Sequence, residues 1–314
     1  MMIQKKNLKV SDNNLAPVYK FYFNGSYKKA LSALDALTHD FPKDSLLYSI
    51  GGDCYISLVE YEKALLCYEE AIKLSPDNIL LFRKTIETLG LCGKIEESLK
   101  LCNKAINIAP DNSDLYLLQG KFFQKSENFN KAIDSYNQVI KLSPNNVDAF
   151  NNKAHSLECL RDFEAAVICA KKAIKIKNDY SPAFFNLGVS AMHLRLFDLS
   201  MQSFNKAIKL DPNCEKYKFA KATLLLMYGD FKHGWVLWES RWKIDKLFSP
   251  KLETNHPVWT GNKNAKVLVW PEQGIGDQIL YSPLLYDLNK KCSELIVILD
   301  SRLISLLTRS IGDF

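Results

Sequence analysis

A proline recurs every 34 residues through most of this chain. The prolines are Pro42, Pro76, Pro110, Pro144 and Pro212, and Asn178 stands at the one missing step. Small residues lie twelve positions before each step, at Ala30, Ala64, Ser98, Ala132, Ala166 and Ser200. Aromatic residues lie six positions after five of the steps, at Tyr48, Phe82, Tyr116, Phe150 and Phe184. A fixed period of this length predicts a solenoid, in which each unit buries its apolar face only by stacking on its neighbours.

Each 34-residue unit predicts two helices joined by a short turn. In the third complete unit we expect helices at 114–125 and 130–142, because the residue before each proline is disfavoured in helical conformation. The array is expected over 11–214, after a disordered segment 1–10, with a degenerate first repeat and five full ones. Pro17 is expected in the first turn of a shortened helix, where proline is tolerated. The pattern resembles the tetratricopeptide repeat (TPR), which implies a mainly α-helical, right-handed superhelical solenoid.

A tryptophan-rich segment follows the array, in a divergent capping unit expected over 215–243. Trp235, Trp238 and Trp242 are spaced i, i+3 and i+7, so they should share one face of the second helix of that unit. This face has two interpretations, a cap on the preceding repeat and a dock for a following domain, and we expect both to hold. Prolines and glycines then indicate a linker over 244–264.

The periodicity changes after the predicted linker. Short apolar runs at 266–270 and 295–299 predict buried strands, and helices are expected at 277–290 and 301–309. This order is the opening β-α-β-α of a doubly wound parallel α/β domain, expected over 265–314. About fifty residues are too few to complete a domain of that class, so the chain is expected to be truncated.

The composition argues against several classes of function. The formal charge of +6 comes without a Lys/Arg block or an aromatic RNA-binding motif, so nucleic acid is not an expected partner. No apolar run reaches the length of a signal-peptide core or a membrane span, and we predict a cytoplasmic protein. The eight cysteines include no Cys-x-x-Cys pair and the five histidines are scattered, so no metal and no cofactor are expected.

One loop could carry chemistry, at the turn from the first predicted strand into the next helix. Residues 271–278 read Pro-Glu-Gln-Gly-Ile-Gly-Asp-Gln. The glycines let the backbone approach a ligand, and the helix start offers N–H groups to an anion or a phosphorylated sugar. A dinucleotide fingerprint would need a glycine in place of Ile279, and a P-loop would need Gly-Lys-Ser/Thr, so neither motif is present. On these grounds alone Asp277 is a natural helix N-cap.

This loop and its surroundings resemble the start of the heptosyltransferase-like (family 9) glycosyltransferases. The matching segments are Val-Leu-Val-Trp270, Glu-Gln-Gly-Ile-Gly-Asp277, Pro283-Leu-Leu, Gly-Trp235-x-x-Trp-Glu-x-Arg241-Trp242 and Pro257-x-Trp259-x-Gly261. The resemblance implies a GT-B fold of two Rossmann-like halves, with Asp277 as the general base for an acceptor hydroxyl. It also implies substrate binding by Gln273, Gly274, Ile275, Gly276 and Gln278. A nucleotide-sugar and a glycan acceptor would be ligands of the complete domain, and the truncated chain is expected to be inactive.

The TPR resemblance places the first helix of each repeat on a concave groove. Asn152 and Asn186 lie 34 residues apart there. In the O-linked N-acetylglucosamine transferases, a ladder of such asparagines grips peptide backbone, since an amide can both donate and accept. Arg83 and Lys121 would add positive charge. A protein or peptide is therefore the expected partner. The alternative is that asparagine is merely common at this position of the repeat and that the basic residues belong to a solvated surface.

Three functions remain open from the sequence. The first is a TPR-scaffolded, bacterial-type glycosyltransferase that moves a sugar from a nucleotide-sugar to a glycan or protein. The second is a non-catalytic TPR scaffold for protein–protein interaction. The third is a peptide O-glycosyltransferase of the O-linked N-acetylglucosamine transferase type.

Overall fold

The computed structural model describes residues 10–244, 252–272 and 274–311. Most of the predicted disordered N terminus, part of the predicted linker and Gln273 lie outside the described residues. The chain divides into an N-terminal unit, Met1–Leu210, and a C-terminal unit, Asp211–Phe314.

The described part of the N-terminal unit consists of consecutive helix pairs. The helices are α1 (Asp12–Phe23), α2 (Tyr27–Asp40), α3 (Ser45–Ser57), α4 (Tyr61–Leu74), α5 (Ile79–Leu91), α6 (Ile95–Ile108), α7 (Ser113–Lys125), α8 (Phe129–Leu142), α9 (Val147–Cys159), α10 (Phe163–Ile176), α11 (Ser181–His193) and α12 (Phe197–Leu210). Each helix contacts the next one along the chain, so the pairs stack in sequence order. The predicted helical repeats are confirmed, and α7 and α8 each begin one residue before the predicted position.

An Asx cap two residues after the proline step begins the first helix of most repeats. Caps of this type are Asp44, Asn78, Asn112 and Asn146. At Asn112, for example, Oδ1 accepts a hydrogen bond from the backbone N–H of Asp114 at 3.1 Å. Such a cap satisfies one of the N–H groups that a helix start leaves unpaired. The proline that ends one unit and the cap that begins the next together fix the 34-residue period.

Glycines and aromatic rings interlock within every second repeat. The pairs are Gly52 with Tyr68, Gly120 with Tyr136, and Gly188 with Phe204. A Cβ atom at Gly120 would stand 2.5 Å from Cε1 of Tyr136, so only glycine leaves room for the ring. In the intervening repeats the equivalent pairs are Ile86 with Cys102 and Ala154 with Ala170, all fully buried. The ring that fills the space beside the glycine in every second repeat is thus absent from these positions in the intervening ones.

Burial governs the chemistry of the core cysteines. It raises the pKa of the Cys102 thiol to about 12, and together with the nearby Asp53 carboxylate it raises that of Cys54 to about 11. These thiols stay protonated at neutral pH and pack as small apolar groups.

Pro17 is not in the first turn of its helix. Helix α1 begins at Asp12 after Ser11 at the N-cap, so the proline is the sixth helical residue. Proline lacks an N–H group, and the carbonyl of Asn13 therefore loses its helical donor. Both residues are exposed, so water can replace that donor. The helix is not shortened before the proline, and the predicted position of Pro17 is wrong.

The C-terminal unit combines short helices with two strands. Its elements are α13 (Glu215–Met227), α14 (Phe231–Trp238), a 3₁₀ helix (Glu239–Lys243), β1 (Lys266–Val269), α15 (Ile275–Tyr281), α16 (Pro283–Asn289), β2 (Glu294–Val297) and α17 (Ser301–Ile311). Strands β1 and β2 are parallel, with Val267 paired to Leu295. These two residues and Leu285 form the centre of a small core. The described residues contain only this two-stranded sheet, which does not show a Rossmann-like domain.

The helix predicted after the first strand is interrupted. A single helix was expected at 277–290, but α15 ends before Ser282 and Pro283 begins α16. Proline cannot donate to the carbonyl of Ile279, and the Ser282 hydroxyl donates to that oxygen instead, at 2.8 Å. The predictions of short strands and of a following helix at 301–309 agree with β1, β2 and α17.

The tryptophan helix also ends earlier than the spacing predicts. Trp235 and Trp238 lie in α14, whereas Trp242 lies in the 3₁₀ helix and leaves their common face. Arg241 Nη1 donates to the carbonyl of Trp238 at 3.1 Å, and that carbonyl would accept from Trp242 N–H in a continuous helix.

Among the described residues, no helix has both the length and the apolar character that crossing a membrane requires.

Candidate functional site

The first helices of the repeats form the inner face of the N-terminal unit. Helices α5, α7, α9 and α11 contact one another in order, more closely than the second helices contact each other. Polar side chains join neighbouring first helices. Lys84 Nζ lies 2.6 Å from Asp53 Oδ2, and Gln124 Nε2 donates to Ser156 Oγ at 2.8 Å. The side on which equivalent helices approach most closely is the inner side of a stacked array.

The two predicted groove asparagines have different environments. Asn186 is only 4% exposed, and its Nδ2 donates to Oδ1 of Asn151 at 2.9 Å and to the Asn151 carbonyl at 3.1 Å. Asn152 is half-buried, and its Oδ1 lies 3.4 Å from Asn151 Nδ2. Asn151, which the repeat pattern does not single out, therefore connects the two positions. The Asn186 amide is therefore already bonded within the array and is almost fully buried.

The two predicted basic residues lie on first helices of the repeats, as do three exposed leucines. Arg83 has a 3.9 Å ion pair between Nη1 and Asp114 Oδ2, and its Nε has no hydrogen-bond partner in the part of the chain that the structure describes. Lys121 is exposed on α7. Three leucines of α3 and α5 keep 42–57% of their surface exposed: Leu46, Leu80 and Leu91. One face of α5 carries Leu80, Lys84 and Leu91, because they are spaced i, i+4 and i+11. Lys84 on this face forms the ion pair to α3.

Arg241 bonds to several described residues of the C-terminal unit. It is 8% exposed, and its Nε and Nη2 donate to the two carboxylate oxygens of Glu272 at 2.6 and 2.9 Å. Its Nη1 also donates to Glu239 at 2.9 Å, and its guanidinium lies 4.2 Å from the centre of the Trp242 ring. The tryptophan segment is thereby joined to the loop after β1. The 34-residue period could not predict this pair, because Arg241 and Glu272 lie 31 residues apart and neither belongs to a repeated position.

The predicted catalytic loop borders a cavity of about 370 Å³ within the C-terminal unit. Asp277 and Gln278 line the cavity together with Trp235 and Trp238, whereas Trp242 lines a second cavity of about 750 Å³. The remaining predicted loop residues, Gly274, Ile275 and Gly276, do not line the first cavity, and Gln273 is not among the described residues.

Asp277 is not the N-cap of its helix. Gly274 occupies that position, and Asp277 is the third residue of α15. Its side chain has no hydrogen bond to another described residue, so its carboxylate remains available to a ligand. Gln278 next to it accepts a hydrogen bond from the backbone N–H of Asp300 at 2.9 Å. Asp300 itself is bound by Arg302, which lowers the pKa of the Asp300 carboxyl to about 2.

Comparisons with known protein families agree with the helical repeats. Residues 45–78, 147–180 and 181–214 match the family model described as tetratricopeptide repeat, and residues 120–158 match one described as TPR repeat. This chain contains tetratricopeptide repeats. These matches end at residue 214, so they support the repeats and give no support to a fused glycosyltransferase domain.

Solved structures show the same fold at low sequence identity. A TPR protein from Parabacteroides merdae has a TM-score of 0.63 at 12% identity, over 75% of this chain and 93% of that one. A chain of the APC/C hetero-tetramer Cut9–Hcn1 has a TM-score of 0.58 at 14% identity, over 78% of this chain and 48% of that one. A TPR-containing protein from Cytophaga hutchinsonii has a TM-score of 0.57 at 16% identity, over 73% of this chain and 95% of that one.

One curated relative is similar over a short segment. Protein FlbA of Caulobacter vibrioides is 30% identical over 73 residues, which are 23% of this chain and 12% of FlbA. The match spans about an eighth of that relative. It therefore says nothing about the rest of either protein.

Proposed function

We propose that this protein is a non-catalytic interaction scaffold, whose TPR array binds an extended protein segment along the inner face of the first helices. The stripe of exposed leucines and basic side chains on α3, α5 and α7 carries this proposal. Large apolar side chains on a surface with fixed polar neighbours are typical of protein-binding sites.

The bonds between repeats explain why this surface would be preorganised. The Lys84–Asp53 pair, with Nζ to Oδ2 at 2.6 Å, fixes α5 against α3. The Tyr68 hydroxyl donates to the other oxygen of Asp53 at 2.6 Å, so the carboxylate is held from both sides. A surface whose side chains are already ordered loses less conformational entropy on binding. Leu80, Leu91 and Arg83 would contact the partner while these bonded groups hold the helices.

The proposal predicts that one substitution on the inner face weakens binding while a matched outer one does not. Peptides selected from a random display library on the whole protein provide the probe. Leu80→Glu should weaken a selected peptide about ten-fold or more, as expected for loss of a central apolar contact. Isothermal titration calorimetry measures the change.

Leu66→Glu is the matched control, because Leu66 is an exposed leucine on the second helix α4. A second pair is Lys121→Glu on α7 and Lys141→Glu on α8, both exposed lysines. Equal losses within each pair would contradict an inner-face site.

Sugar transfer remains a second candidate function, on one observation besides the sequence resemblance. Asp277 follows the carboxyl end of β1, where open α/β sheets bind ligands, and it lines the first cavity. The candidate predicts that, in a longer homologue that carries both halves of the domain, the substitution equivalent to Asp277→Asn lowers the rate of sugar transfer about 10²–10⁴-fold. Equal rates for that homologue and its variant would remove this candidate.

A further inference from the structure

The cavity of about 370 Å³ in the C-terminal unit has two aromatic walls. The rings of Trp235 and Trp238 lie 6.0 Å apart between centroids and are almost perpendicular, with an interplanar angle of 81°. Trp235 is 53% exposed, which is unusual for so large an apolar side chain and leaves its ring accessible. Tyr281 also lines the cavity and is exposed.

The charged residues of the same cavity are mostly acidic. Its lining holds the carboxylates of Glu239, Glu272 and Asp277 and the guanidinium of Arg241, a net charge of two negative. Glu272 and Glu239 already bind Arg241 through three hydrogen bonds, at 2.6, 2.9 and 2.9 Å. The guanidinium is thus neutralised within its own cluster. The Asp277 carboxylate remains uncompensated among the described residues.

Aromatic faces and an uncompensated carboxylate attract the same kind of ligand. The negative face of an indole ring draws a cation, and the attraction is larger for tryptophan than for other rings. An alkylated ammonium suits such walls because it offers apolar surface and positive charge together. The cavity volume lies at the small end of the range for ligand sites, so the guest is one compact head group. A doubly negative lining would repel the phosphates of a nucleotide-sugar.

We infer that this cavity binds an alkylated ammonium group, either as a free small molecule such as choline or as the side chain of a methylated lysine. All the residues that line this cavity belong to the C-terminal unit, whereas the proposed peptide surface belongs to the N-terminal unit. Its ligand contacts the rings of Trp235 and Trp238, and the Asp277 carboxylate supplies the counter-charge.

The test compares choline with 3,3-dimethylbutan-1-ol, which has the same shape without the charge. Titration of the whole protein, followed by the indole N–H signals in NMR spectra, should show choline shifting Trp235 and Trp238. The alcohol should bind at least about five-fold more weakly, because it lacks the cation–π attraction. A trimethyl-lysine peptide and its unmethylated form distinguish a protein-borne ligand from a free one. Equal binding of choline and the alcohol, no shift with choline or the trimethyl-lysine peptide, or a response to uridine diphosphate glucose alone would overturn the inference.

Variants locate the binding. Asp277→Asn keeps the shape and removes the charge, and it should weaken choline about five-fold. Asp287→Asn is the control, because Asp287 is exposed on α16 and does not line the cavity. Trp235→Leu should abolish the shift at Trp238, while far-UV circular dichroism confirms that each variant is folded. Equal affinities in the two aspartate variants would contradict the assigned counter-charge.

Discussion

Replacing Arg241 with alanine is expected to destabilise the C-terminal unit by about 3 kcal/mol, near the low end of the range for breaking a buried ion pair. The substitution removes both hydrogen bonds to Glu272 and leaves that carboxylate partly buried without its counter-ion. It also removes the hydrogen bond that Arg241 Nη1 donates to the Trp238 carbonyl. If the tryptophan segment docks the strands that follow, as predicted from the sequence, this is the contact whose loss should separate them.

Tryptophan fluorescence during urea unfolding measures this loss selectively. The five tryptophans of the chain, Trp235, Trp238, Trp242, Trp259 and Trp270, all belong to the C-terminal unit. Far-UV circular dichroism follows mainly the helices of the array in the same samples. The fluorescence transition should therefore move to lower urea while the dichroism transition changes little.

Two further variants test the geometry of the pair. Arg241→Lys should lose most of the stability, because an ammonium cannot donate in the bidentate arrangement of a guanidinium. Arg302→Ala is the control, since Arg302 is exposed and water screens its ion pair with Asp300, so little stability should depend on it. If Arg241→Ala shifts the fluorescence transition no more than Arg302→Ala does, the buried pair does not stabilise the unit.

A second large effect is expected from two adjacent glycines of α3. Gly52→Ala would place a Cβ atom inside the contact distance of the Tyr68 ring, whereas Gly51→Ala places one 3.6 Å from Cys67 Sγ, an ordinary contact. The Tyr68 ring cannot retreat easily, because its hydroxyl is bonded to Asp53 and the residue is 1% exposed. Overpacking costs about 1–3 kcal/mol, and alanine gains up to about 1 kcal/mol over glycine in a helix.

The two variants should consequently differ in stability, with Gly52→Ala the less stable. Thermal unfolding followed by far-UV circular dichroism should show a lower midpoint for Gly52→Ala and an unchanged or higher one for Gly51→Ala. Both substitutions replace glycine with alanine in the same helix. Their effects on helix propensity and on the entropy of the unfolded chain therefore cancel when the two variants are compared. Similar midpoints would mean that the ring repacks at no cost and that the interlock is not a determinant of the array.

The sequence predicts most of the N-terminal unit because its information is local and repeated. Prolines stop the second helices, Asx caps two residues later begin the first ones, and small residues mark close approaches. The Gly–aromatic interlock could also have been recognised, since Gly52, Gly120 and Gly188 are spaced by 68 residues, two periods. Pro17 was misplaced because a helix tolerates an interior proline where its unpaired carbonyl is exposed.

The C-terminal unit is less predictable because its determinants act across long separations. Pro283 breaks a helix that its apolar pattern made look continuous, and Gly274 takes the N-cap that the sequence assigned to Asp277. The Arg241–Glu272 pair joins two segments that no repeat relates. Likewise, Asn186 is hydrogen-bonded to Asn151 of the preceding repeat. Residue type alone does not distinguish an asparagine that binds a peptide from one that bonds two helices of the array to each other.

The central claim is that the first helices of the array bind a protein segment. Hydrogen–deuterium exchange on the whole protein, with and without a library-selected peptide, tests this claim most directly. Bound peptide should slow exchange in α3, α5 and α7, where it would cover the inner face, and leave α4, α6 and α8 unchanged. Protection confined to the second helices, or to residues of the C-terminal unit alone, would contradict the claim.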